Sequence, residues 1–324
     1  MFRNSYYHPK NPNKLGLKNL LNVPGCKIAA LTSITLGIFL LPYPIYAKSN
    51  ISSTGSNPVL NNKVVILTFG DTLKSQFTIA KSILDKYNFK ASFFITCGYV
   101  SEPGRMSWQD IVALQRDGQD LESKTMTHRR MTDLTTNQLI YETGGSKECL
   151  AHHGINATIF ATPHGNEWNN ATVINAISKY YNFADNGFAP LMFLHCDGYK
   201  KFSNQTDCRT YYDNGTLTLA NRYSIREWSH NALDKLYSHN DTMLFTRFVQ
   251  EVNSQVIYNN KYGSIDAIPV VAYHSIDSNK TTDSTDISLF ANEMKYLHDN
   301  GFRVIPMADI GYDNYTHIMF IKPV

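Results

Sequence analysis

Leu67-Thr68-Phe69-Gly70-Asp71-Thr72-Leu73-Lys74-Ser75-Gln76, with Lys90-Ala91-Ser92-Phe93-Phe94-Ile95 after it, holds the architecture of this chain in small. The first segment completes an apolar run, Val64 to Phe69, that stops sharply at Gly70-Asp71. A short continuous apolar run ended by a turn signal reads as a strand buried on both faces. Ser75 to Tyr87 then sets Ile79, Ile83 and Leu84 at helical spacing, and Ala91 to Ile95 is a second strand. Strand, helix, strand is the unit of a parallel sheet, because the helix carries the chain back to the start of the next strand.

The alternation continues along the chain. Ser107 is placed to cap a helix carrying Ile111, Val112 and Leu114, and Gly118 to end it. Leu121 to Ser123 reads as a strand, Thr136 to His152 as a helix, Thr158 to Ala161 as a strand and Ala171 to Tyr181 as a helix. Between Asn186 and Asn221 an aromatic, Gly- and Asp-bearing stretch breaks the pattern and predicts an inserted loop or small hairpin. Asp241 to Asn259 resumes as a helix, Pro269 to Tyr273 as a buried strand, Ser288 to Asn300 as a helix closed by Gly301, and Phe302 to Ile305 as the last strand. This series predicts an α/β fold, a mainly parallel sheet or barrel with its loops gathered at the strand C-termini. Gly70-Asp71, Lys124 to His128 and His274 each follow a strand, so all three are expected on one face.

At those strand ends the chain resembles the polysaccharide deacetylases (the NodB homology domain, carbohydrate esterase family 4) over about residues 63 to 313. The family's first motif reads Thr-Phe-Asp-Asp-Gly, its first Asp a catalytic base and its second a metal ligand. Gly70 stands at the base position and Asp71 at the ligand position. Glu122-Ser123-Lys124-Thr125-Met126-Thr127-His128 resembles the Ser-His-Thr-x-x-His motif whose two histidines complete the metal site; His128 is kept and Lys124 replaces the other. Phe160-Ala161-Thr162-Pro163-His164-Gly165 resembles the third motif, with His164 where the family carries an aromatic residue. That leaves His164 open as a replacement ligand, a proton donor or an ordinary loop histidine. Ile268 to Asp277 resembles the strand whose terminal His is the family's general acid, a role that falls on His274. Met307-Ala308-Asp309-Ile310 resembles the family's ending and reads as structural. By this resemblance the fold is the distorted (β/α) barrel of the glycoside hydrolase/deacetylase type.

The resemblance makes Asp71 and His128 the candidate metal ligands, zinc being the expected divalent ion if any binds, and His274 and His164 the candidate catalytic residues. Catalytic zinc normally takes three protein ligands, and a protonated Lys124 would repel a divalent cation. Burial beside a metal could strip that proton; alternatively the ammonium pairs with Asp71 in a metal-free site. Loss of the base alone is expected to cost about 10²- to 10⁴-fold in rate. The implied function is hydrolysis of carbon-nitrogen (non-peptide) bonds in N-acetylated glycans, weakened at Gly70 and Lys124. The alternative is a catalytically inactive glycan-binding protein of the cell surface. Trp108, Trp168, Tyr199 and Trp228 are candidates for a sugar-lining groove, although aromatic residues more often build core.

Composition bears on location and partners. The formal charge is +3, and Arg3, Lys10, Lys14, Lys18 and Lys27 precede the first apolar run, so no electrostatic case for a nucleic-acid partner remains. Ile28 to Leu41 is apolar or small and leads through Pro42 and Pro44 to Ala47. Residues 1–47 therefore read as a signal peptide or, if uncleaved, an N-terminal membrane anchor. A polar linker, 48–62, follows, and 314–324 reads as a tail. The expected location is extracellular or at the cell surface, with an N-acetylated polysaccharide as partner. Cys196 and Cys208 flank a polar segment and are expected to form a bridge, whereas Cys97, at the end of an apolar strand, is expected to be a free buried thiol. Eight Asn-x-Ser/Thr sites, at Asn50, Asn156, Asn170, Asn204, Asn214, Asn240, Asn279 and Asn314, fit an exported surface protein.

Overall fold

The computed structural model describes residues 62–165, 170–189, 191–194, 222–230, 240–259, 265–279, 281, 283–316 and 318–323. The expected leader and most of the linker, Trp168, Tyr199 and the expected Cys196–Cys208 bridge lie outside the described residues. Among the described residues no helix is long and apolar enough to cross a membrane.

The apolar run Val64–Phe69 forms β1, buried along its whole length. Ser92–Ile95 (β2), Asp120–Ser123 (β3), Ile159–Ala161 (β4) and Phe183–Phe188 (β5) follow it in parallel register. Met192–Phe193 (β6) leaves the sheet, and Ile225–Ser229 (β7) returns to pair with β5. Ala267–Ile268 (β8) pairs antiparallel with β6, and Val270–Tyr273 (β9) lies between β7 and β1. The β1–β9 pairing closes seven parallel strands, β1-β2-β3-β4-β5-β7-β9, into a barrel.

Alternation along β1 sorts the core. Val64 and Ile66 join Phe94, Ile159, Phe183, Ile225 and Val270 in one cluster, the barrel filling. Val65, Leu67 and Phe69 join the other, which is shared with the flanking helices. Those helices are Lys81–Lys86 (α1), Trp108–Arg116 (α2), Thr136–Ile140 (α3), Ser146–His152 (α4), Ala171–Ile177 (α5), Asp241–Asn253 (α6) and Ile287–Asp299 (α7). The expected cap is present on α2: Ser107 Oγ accepts from Asp110 N–H while the Asp110 carboxylate accepts from Ser107 N–H at 2.7 Å. A π-helical turn, Tyr141–Gly145, joins α3 to α4, so the expected Thr136–His152 helix is continuous but locally widened.

Three expectations differ from the structure. The break placed at Asn186 begins later, because β5 runs through Asn186 to Phe188 with a bulge between Asp185 and Gly187. Strands β5 and β7 carry Asp185, Asn186, Arg226 and Glu227, and these polar residues mask the buried-strand pattern in sequence. Phe302–Ile305 is not the last strand. After Ser275–Ile276 (β10), Ser284–Thr285 (β11) and Arg303–Ile305 (β12), the chain forms an antiparallel hairpin of Ile310–Asp313 (β13) and Ile318–Ile321 (β14). Strand β12 pairs with the N-terminal half of β1, and fully buried Met319 of β14 joins the barrel-filling cluster, so the hairpin stops the end of the barrel away from the strand C-termini. Finally, Cys97 is not a free thiol but is bridged to Cys149 on α4, which packs against the turn after β2.

Candidate active site

Three strand ends converge as expected, and each is held by its backbone. After β1, Asp71 and Thr72 both adopt left-handed φ, 72° and 59°. Arg105 Nη1 donates to the Asp71 carbonyl at 2.6 Å, and Met106 N–H to the Thr72 carbonyl at 2.8 Å. After β3, Thr125 (φ 66°) and His128 (φ 59°) bend the loop, Thr125 Oγ1 accepting from His128 N–H at 2.9 Å. Buried Glu142, on the π-helical turn, accepts from Met126 N–H and Thr127 N–H at 2.9 Å each and takes the Thr127 hydroxyl as well. After β4, His164 has φ 68°. Left-handed backbone costs a non-glycine residue roughly 1–3 kcal/mol, and such residues gather where a fold aims side chains at a site. Gln76 joins β1 to β9: its amide donates to the Gly70 carbonyl and, at 3.1 Å, to the His274 carbonyl.

These loops surround a cavity of about 220 Å³ at the C-terminal mouth of the barrel. Asp71, Lys124, His128, His164 and His274 all line it. Asp71 is the hub. Lys124 Nζ lies 2.8 Å and His128 Nε2 2.9 Å from its Oδ1, and His274 Nε2 lies 3.8 Å from its Oδ2. These are close polar contacts to a single buried oxygen rather than well-directed hydrogen bonds. The rings of His128 and His164 meet edge to face at 5.3 Å.

Burial works to raise the Asp71 carboxyl, but the Lys124 ammonium and the two histidines outweigh it and hold the group well below the usual carboxylate range. Burial likewise opposes the Lys124 charge, and the attraction of Asp71, Glu227 and Asp185 overcomes it, so Lys124 is raised above the ordinary lysine value and stays an ammonium. His274 moves the other way: burial first, then the Lys124 charge, lower it below the usual histidine value. His164 is lowered by burial and by the neighbouring His128, Arg130 and Lys124.

Sequence reasoning missed the opposite wall. Asp185 from β5 and Glu227 from β7 face Lys124 across the mouth, and Thr68 Oγ1 donates to Glu227 at 3.1 Å. Burial and then the Glu227 charge push Asp185 well above the usual carboxylate range. No local signal marked them, because Phe183 to Phe188 and Ile225 to Ser229 mix apolar residues with Asn186 and Arg226 beside the acids. Of the proposed sugar-lining aromatics, Trp228 alternates with the cavity-facing Glu227 and Ser229 and so packs against the outer core, and Trp108 stacks on His153 at 3.5 Å. Phe188 is an aromatic residue that does line the cavity.

A divalent metal does not fit this arrangement. The Lys124 ammonium stands 2.8 Å from the one carboxylate that would bind the ion, and among the described residues no group of three or more His, Cys, Asp or Glu side chains is disposed to hold a metal. Gly70 supplies no side chain, and a Cβ built there would lie 2.7 Å from Lys124 Nζ, inside contact distance.

The strand order closes an α/β barrel with the candidate site at the strand C-termini, and residues 58–182 match the sequence profile of the family described as polysaccharide deacetylase. The match is confined to that segment of the chain. It is 24% identical over 143 residues to the bifunctional xylanase/deacetylase of Pseudobutyrivibrio xylanivorans, a match covering 44% of this chain and only 22% of that protein. The family 4 carbohydrate esterase from Streptomyces lividans, solved with acetate, superposes with a TM-score of 0.50 at 14% identity, covering 81% of this chain and 99% of that one. The Xyl-CE4 domain of a multidomain xylanase from the hindgut metagenome of Trinervitermes trinervoides gives 0.48 at 15% identity, covering 76% and 89%. The Streptomyces likeness bears on the fold alone: a (β/α) barrel, as the sequence implies.

Proposed function

We propose that this chain is a glycan-binding member of the polysaccharide deacetylase family that has lost most or all of the hydrolytic reaction. The observation that carries this reading is the Lys124 ammonium 2.8 Å from Asp71 Oδ1, in the space that a side chain at residue 70 and a metal would both need. Deacetylation of an N-acetyl sugar needs a base to activate water, an electrophile for the carbonyl oxygen and an acid for the leaving amine. Gly70 offers no base. His274, lowered by burial and by Lys124, is neutral near pH 7 and has no proton to spare for a leaving amine. An ammonium already matched to Asp71 is a weaker electrophile than a divalent ion. The partner in this reading is an amino-sugar polysaccharide at the cell surface or outside the cell, reached by export through the basic and apolar leader of residues 1–47, which serves as an anchor if it is retained.

A weakened hydrolase is the second reading, favoured by the convergence of Asp71, His128 and His274 on one point. Zinc affinity and acetate release from chitin oligomers separate the two. The full-length chain is expected to bind zinc weakly and release little acetate, and Gly70→Asp with Lys124→His is expected to recover both. Stoichiometric zinc with substantial turnover in the unmodified chain would overturn the binding-protein reading.

A further inference from the structure

The wall opposite Asp71 holds more than the carboxyls of Asp185 and Glu227. Asp185, Asn186 and Gly187 are consecutive, and an undisturbed strand would turn only alternate residues toward the cavity, yet all three line it. The bulge between Asp185 and Gly187 is the cause, since an extra residue in one strand re-aims its side chains. Among the residues lining this mouth, Thr162 Oγ1, Asp185 Oδ2, Asn186 Oδ1 and Ser229 Oγ are buried with no hydrogen-bond partner among the described residues, while the Asn186 amide donates to the Tyr223 carbonyl at 2.6 Å. Their residues are 5%, 3%, 1% and 6% exposed. A buried polar atom without a partner costs about 1–3 kcal/mol, so four together around one cavity mark a place where a polar ligand completes the bonding.

The inventory says what kind of ligand. Asn186 Oδ1 can only accept, and the Asp185 carboxyl stands beside Glu227, whose charge acts on it. The two hydroxyls serve either way. The charge count points in the same direction: Lys124 is a single ammonium facing Asp71, Asp185 and Glu227, with Asp283 exposed at the rim. Asp71 already matches Lys124, so the remaining groups ask for a donor-rich cation. An N-acetylated sugar presents at its nitrogen one N–H, one carbonyl acceptor and a methyl group. The same sugar without its acetyl group presents three N–H donors and a positive charge.

We infer that the mouth bounded by the β5 bulge and Glu227 is a subsite for the protonated amine of an already deacetylated amino sugar, so that the protein recognises the product rather than the substrate of its family's reaction. This rests on the glycan-binding reading above and narrows it to a ligand class.

Calorimetric titration of the full-length chain with glucosamine tetramer, N-acetylglucosamine tetramer and cellotetraose tests it. The chain's formal charge of +3 gives a cationic oligomer no general attraction, so preference reports the site. Glucosamine tetramer is expected to bind about tenfold or more tighter than the N-acetylated one, the worth of one charge-assisted hydrogen bond. Asp185→Asn is expected to abolish most of that preference, and Asp283→Asn, a change at the exposed rim that cannot unfold the barrel, to reduce it. Equal or tighter binding of the N-acetylated tetramer would overturn the amine subsite while leaving glycan binding standing. A preference untouched by both substitutions would overturn its location. No binding of any of the three would overturn both readings.

Discussion

Lys124 and Asp71 set the behaviour of their neighbours. The Asp71 carboxylate, depressed in the fold, contributes stability above the ordinary carboxylate pKa that is lost as pH falls below it. Lys124, raised in the fold, contributes stability below the ordinary lysine pKa that is lost as pH rises through its folded value. The pair therefore stands intact from about pH 4 to about pH 10. Lys124→Met removes the cation and leaves Asp71 buried beside two histidines. The expected loss, read from denaturant melts at pH 7, is below the ~3–5 kcal/mol typical of a broken buried pair, because a histidine can take up a proton in compensation. The His274 imidazole titration, followed by NMR, should move upward in that variant, since one of the two causes holding it down is gone. An unmoved titration would mean that burial alone sets it. That Asp71, Lys124, His128 and His274 would meet at one mouth was legible in sequence, because each lies in a stretch that follows a strand and resembles a family motif. Asp185 and Glu227 were not, because nothing local distinguishes an acid facing the mouth of a barrel from one facing water.

At the scale of elements, the turn after β2 and helix α4 are fastened together twice. The Cys97–Cys149 bridge spans 52 residues, and the loop-closure entropy it removes from the unfolded chain is about 4 kcal/mol. Within that span lies the whole Lys124–His128 loop, hung between Cys97 and Gly98, which donate to the Thr125 and Met126 carbonyls, and Glu142, which accepts from the other side. Replacing both cysteines with Ala should lower the melting temperature measured by circular dichroism, by several degrees at least for a domain of this size. An unchanged melting temperature would show that the bridge does not form. The free-thiol expectation failed for a plain reason: a strand-ending Cys looks identical whether or not a helix 52 residues away brings it a partner. Strand–helix alternation was readable wherever strands were wholly apolar, as in β1 and β2, and was lost at β5 and β7, whose inward ends are polar for the sake of the cavity.

Over the molecule as a whole, the barrel is stopped at one end and open at the other. The β13–β14 hairpin sends fully buried Met319 into the interior cluster, and Met319 N–H donates to the Leu194 carbonyl at 3.1 Å. Met319→Ala is expected to destabilise the fold by about 2–5 kcal/mol in urea melts while leaving glycan affinity unchanged, because the hairpin and the cavity lie at opposite ends. Reduced affinity at full folding would show that the two ends are coupled. At the open end, Lys124 has one further consequence. Its amine is covalently tethered beside Asp71, so its local concentration there is on the order of millimolar or above, as for any short flexible tether. A dissolved metal ion at micromolar levels competes at a disadvantage of roughly a thousandfold before any question of ligand number arises. The chain thus carries its own built-in competitor for that carboxylate, one that no dialysis removes and only a change of the residue takes away.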